Sequence, residues 1–83
     1  MKQETVNKRI DKAIQKFIPN ESDKVKAYCK DLILSTYDGL LDEHEERNNG
    51  KPYTDSENLA FAISITLDDA DTPSILKNAR ESR

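Results

Sequence analysis

A chain of 83 residues, 35% charged and 6% aromatic with a formal net charge of −3, makes one small domain. At this size only about 60% of the unfolded chain's surface is buried, so the core is thin. The single cysteine, Cys29, excludes an intramolecular disulfide and suits a reducing compartment. The opening MKQETVNKRIDK has no apolar h-region, and no apolar run approaches the roughly 20 residues of a membrane span, so we expect no signal peptide, no membrane anchor and a cytoplasmic protein.

The first predicted helix covers about 3–18. Val6, Ile10, Ala13, Ile14, Phe17 and Ile18 recur at helical spacing as one apolar stripe, and Lys8, Arg9, Lys12 and Lys16 occupy the other side. Pro19 ends it, because the residue before a proline is pushed out of the α region. Asn20 is the expected N-cap of a second helix, with Glu21 and Asp23 in a first turn whose dipole favours negative charge.

That second helix is predicted over about 20–47 and carries Val25, Tyr28, Cys29, Leu32, Ile33, Thr36, Tyr37, Leu40 and Leu41. The apolar arc covers more than half the circumference and rotates along the axis, which predicts two neighbours, one for each half. Gly39 marks a bend, a close crossing or a break within it. The loop 48–53 follows, through Asn48, Asn49, Gly50 and Pro52.

Thr54-Asp55-Ser56-Glu57 is a capping-box pattern and opens a third helix, about 55–69. Leu59, Ala62, Ile63, Thr66 and Ala70 form one stripe with Leu67 beside it, while Phe61 and Ile65 point almost the opposite way. A strand over AFAISITL is the competing reading of the alternation; the capping box and the lack of a partner strand favour helix. Thr72 and Pro73 then read as the N-cap and first residue of a fourth helix, 73–80, followed by a frayed tail, 81–83. The expected fold is all-α: a small three- to four-helix bundle, one domain over 1–83, organised around one long central helix. Its small size and the leftover face of the third helix predict a homodimer.

Charge is segregated along the chain. Residues 1–30 hold eight Lys/Arg against four Asp/Glu, and residues 31–72 hold two against eleven. Such asymmetry speaks to partners rather than to fold. With no nucleophile elbow and a lone Cys29 read as a core residue, the leading reading is a small non-enzymatic protein-interaction module without cofactor or metal. A bacterial or phage regulator, inhibitor or immunity-type protein acts in this way. The candidate contact is Phe61 and Ile65, with the acids Asp42, Glu43, Glu45 and Glu46 as its charged rim. His44, the one histidine, reads as a half-buried or surface residue.

Two alternatives follow from charge. The basic face Lys8, Arg9, Lys12 and Lys16 suits nucleic acid phosphates, although the remainder of the chain is acidic. Glu43 with Glu46 and Asp68 with Asp71 have the i, i+3 spacing that places two carboxylates on one helix face, as a magnesium-dependent phosphohydrolase requires. This arrangement loosely resembles the all-α nucleotide pyrophosphohydrolases, from which it departs in placing the acids at helix ends.

Overall fold

The computed structural model describes the backbone of residues 1–43, 46–48 and 51–82, and the side chains of 1–41 and 53–82. Among these residues it is an all-α bundle of four helices: α1 (Gln3–Phe17), α2 (Asp23–Glu43), α3 (Asp55–Leu67) and α4 (Thr72–Glu81). Between α2 and α3, β1 (Glu46–Asn48) pairs antiparallel with β2 (Lys51–Pro52), in a register that shifts between Glu46 and Asn48. The expected loop 48–53 is therefore partly a short ladder, and helix pairing stops at Glu43 rather than at Arg47.

The start of α2 also differs from expectation. Pro19 and Asn20 form a turn closed by the Glu21 N–H donating to the Ile18 carbonyl at 3.3 Å. Ser22 takes the capping role assigned to Asn20: its Oγ accepts from the Val25 N–H at 3.3 Å, and its carbonyl accepts from Lys26 at 3.0 Å. The linker is therefore a turn that sets α2 back to Asp23, later than a cap at Asn20 would place it. The Thr54 box forms as read, with Glu57 N–H donating to Thr54 Oγ1 at 3.2 Å and Thr54 N–H to Glu57 Oε1 at 3.0 Å. Thr72 does not cap forward: its Oγ1 accepts from the Asp69 N–H at 3.0 Å and closes the α3–α4 turn.

α2 is the spine. Its 21 residues span about 31 Å at 1.5 Å per residue, most of the molecule's 40 Å long dimension. α1, α3 and α4 all pack on it, and α3 also meets α1 and α4. Val25, Cys29, Ile33 and Tyr37 are buried in one row four residues apart. At about 100° per residue such a row winds roughly 120° around the axis over its length, which is how one helix faces three neighbours. Leu34, Leu40 and Leu41 flank the row, half-buried against the core. Helix runs unbroken through Gly39, where an added Cβ would meet nothing within 4 Å, so the glycine marks neither a break nor a close crossing.

α1 contributes Val6, Ile10 and Ile14 to the core, with Ile18 just past its end; α3 contributes Leu59, Ala62, Thr66 and Leu67; α4 contributes Ala79. Two residues placed on apolar stripes lie outside. Phe17 ends α1 and is 38% exposed, because the chain turns away at Pro19 before any element can cover it. Ala70 is exposed in the α3–α4 turn, past the helix that ends at Leu67.

Side-chain ties fix the direction of α1 relative to α3. The Met1 ammonium meets Asp55 at 3.2 Å, and Arg9 Nη1 donates to Ser56 Oγ at 3.0 Å. Lys16 and Phe17, at the far end of α1, lie with Ser64 and Asp68 at the far end of α3. The two helices run side by side in the same sense, both opposed to α2.

Candidate functional site

The parallel seam between α1 and α3 opens into a groove of about 510 Å³. Ala13, Phe17, Ala60 and Ile63 make its apolar floor. Arg9, Lys12 and Lys16 stand along the α1 wall, and Ser64 and Asp68 along the α3 wall. Local sequence explains the opening. Ala60 and Ser64 are one turn apart on α3 and too small to fill the space that Ile63 and Ala13 leave above the core.

The three cations are placed differently. Arg9 is half-buried and strapped to α3 through Ser56, its Nη2 also reaching the Ser56 carbonyl at 3.5 Å. Lys16 holds its Nζ 5.3 Å from the Phe17 ring centroid, within cation–π range. Lys12 and Lys16 have no carboxylate within ion-pair distance among the described residues. Lys8 differs: it is paired along α1 with Glu4 at 3.4 Å and lies outside the groove. Three members of the predicted basic quartet therefore share one wall, and the fourth does not.

A second hollow, about 430 Å³, lies beside the first and shares Ala60 with it; Tyr53, Glu57 and Phe61 complete its lining. Phe61 is 50% exposed, the largest exposure of any large apolar side chain among the described residues. Ile65, one turn further on, is half-buried and lines neither hollow. α4 leaves this face open: Ile75 and Leu76 turn instead to the main core. Glu57 is the one acid at the Phe61 hollow among the described residues, and its carboxyl is held below the usual carboxylate range by the Thr54 backbone N–H and then by the Thr54 side chain. The acids expected to rim the contact, the side chains of Asp42, Glu43, Glu45 and Glu46, lie outside the described residues, as does His44.

Sequence reading missed Phe17 and Tyr53 as surface residues. Phe17 sits two residues before a proline, at a helix end where nothing can cover it, and that signal was available. The grouping of Phe17, Tyr53 and Phe61 around Ala60 depends on the parallel α1–α3 seam, which no local pattern reveals. Among the described residues, no three His, Cys, Asp or Glu side chains are grouped so as to hold a metal ion. Asp68, Asp69 and Asp71 are all exposed, and Asp68 alone faces the groove. Cys29 is fully buried, and burial pushes its thiol pKa up, away from nucleophilic use. No helix among the described residues is long and apolar enough to cross a membrane.

No protein family matches this chain, and no curated protein or solved structure matches it either.

Proposed function

We propose that the protein is a small non-enzymatic interaction module that docks the α1–α3 face onto a partner protein, as small regulators and inhibitors do. The observation that carries this reading is the grouping of exposed aromatics. Phe17, Tyr53 and Phe61 flank two adjoining hollows that share Ala60. Exposed aromatics around a small-residue floor are the usual makings of an interface centre, where a few large side chains carry most of the binding energy. The contact is thus centred nearer Phe17 and Phe61 than Phe61 and Ile65.

Photo-crosslinking in the cell of origin tests the reading. A crosslinker at position 61 is expected to capture a discrete protein that one at Ser35, exposed on α2, does not. Phe61→Glu and Phe17→Glu are expected to abolish capture by a crosslinker at Tyr53 while leaving the helical signal intact. Capture that is equal at 61 and 35, or unchanged by both substitutions, removes the reading.

A second reading, nucleic acid binding, is supported by Arg9, Lys12 and Lys16 sharing a wall beside an aromatic ring. A salt titration against random single- and double-stranded DNA tests it. Absence of binding at low salt, where the phosphate contribution is strongest, ends it.

A further inference from the structure

Resting on the interaction reading, we infer that the α1–α3 groove receives an acidic amphipathic helix of a partner protein. The partner's apolar face would lie on Phe17, Ala60 and Ile63, and its carboxylates against Lys12 and Lys16. Charge complementarity selects the occupant. Among the described residues the groove carries three cations against the single carboxylate of Asp68, in a chain whose formal net charge is −3. Arg9 is already engaged with Ser56, whereas Lys12 and Lys16 meet no carboxylate among the described residues. Their ammonium groups remain available to an incoming acid at modest desolvation cost.

The shape of the groove argues for a helix. Its walls are two side-by-side helices, the setting in which a third helix lays an apolar stripe between two ridges. Arg9, Lys12 and Lys16 recur at i, i+3 and i+7, about 10 Å along the axis at 1.5 Å per residue. Two turns of a partner with Glu or Asp at the same spacing bring each carboxylate opposite a cation. Nucleic acid fits less well, because a backbone charged at every residue would also meet Asp68 on one wall and Glu57 in the adjoining hollow, whereas an amphipathic helix can keep its carboxylates to the α1 side.

The probe is a pair of designed helical peptides of equal hydrophobicity, Leu with Glu and Leu with Lys, titrated into the full chain at low salt by fluorescence anisotropy. The Leu/Glu peptide is expected to bind and to shift the NMR signals of Ala60 and Ser64. Lys12→Glu/Lys16→Glu is expected to weaken it by about tenfold or more and to gain affinity for the Leu/Lys peptide. Ala60→Gln, which fills the floor without changing charge, is expected to weaken binding in the same way. Circular dichroism of each variant establishes that it is folded, as the exposure of all three positions leads one to expect.

Several outcomes overturn the inference: no preference between the peptides, signal shifts confined to Phe61 and Tyr53, binding of single-stranded DNA in place of peptide, or self-association that the charge reversal abolishes. If the peptides fail while the position-61 crosslink persists, the groove assignment falls and the interaction reading stands. If both fail, both fall.

Discussion

The guanidinium of Arg80 and the carboxylate of Glu21 form a two-point ion pair, Nε donating to Oε2 at 3.3 Å with an Nη2 contact to Oε1 beside it. The pair ties the last turn of α4 to the turn that precedes α2. Lys24 Nζ adds a bond to the Arg80 carbonyl at 3.3 Å. The hydrogen bond from Arg80 holds the Glu21 carboxyl below the usual carboxylate range. A carboxyl whose folded pKa is depressed adds stability above its unfolded pKa and loses it as pH falls through the folded value. Glu21→Gln is therefore expected to lower the melting temperature slightly at neutral pH, with the gap closing under acid conditions. Thermal melts across that pH range check it; a gap that persists at low pH contradicts the ion-pair account.

Gly39→Ala is expected to stabilise the fold. The position is helical and exposed, and the added methyl meets nothing within 4 Å. Ala exceeds Gly by about 1 kcal/mol in a helix interior, which corresponds to about 4–8 °C for a domain of this size. Urea denaturation and a thermal melt measure both quantities.

Thr54→Ala removes one half of the capping box and is expected to cost about 1 kcal/mol, with Thr54→Ser recovering most of it. Glu57 loses its reciprocal partner only in part, because the Thr54 backbone N–H remains. Loss confined to the α3 amides in hydrogen exchange would locate the effect.

Core truncation separates graded from total loss. Ile33 and Leu59 are fully buried. Leu59→Ala is expected to cost about 2–5 kcal/mol. A domain of this length has roughly 4–12 kcal/mol in all at 0.05–0.15 per residue, so that variant stands near unfolding. Ile33→Val, at about 1 kcal/mol, stays folded and is the variant to use in quantitative work.

Burial raises the Cys29 thiol pKa. A group whose folded pKa is raised contributes stability that is complete below the unfolded value, about 8.5 for cysteine, and is lost as pH rises through the folded one. The native protein is expected to resist a thiol reagent at neutral pH and to react at the rate of its opening, with stability declining in alkali. Fast stoichiometric labelling of the folded chain would contradict this.

Much of the architecture was legible because it is local. The Thr54–Glu57 box and the proline stop are each written within a single helical turn, and the Val6–Ile18 stripe within a little over three. The α2 boundaries were not legible. Asn20 and Ser22 are both good caps, and only the turn geometry at Pro19 chooses between them. At the other end, Asp42 to Arg47 contains no helix breaker, so nothing local separates a continuing helix from the β1–β2 ladder. The candidate site was half legible: Phe61 stood off its stripe and Lys12 and Lys16 off theirs. What joins them is contact between α1 and α3, which depends on side chains such as Arg9 and Ser56, 47 residues apart.

The parallel seam also sets an order of assembly. α1 and α2 adjoin in the chain and can meet as soon as both exist, but α1 finds its second neighbour only after the reversal through β1 and β2. Arg80 reaches Glu21, 59 positions earlier in the chain. During synthesis the isoleucines of α1 therefore spend the interval half-covered, sheltered by one helix where the finished molecule gives them two. An intermediate that holds α1 and α2 alone leaves open the apolar side of α1 that α3 covers in the finished fold, and that side is where mispairing would begin.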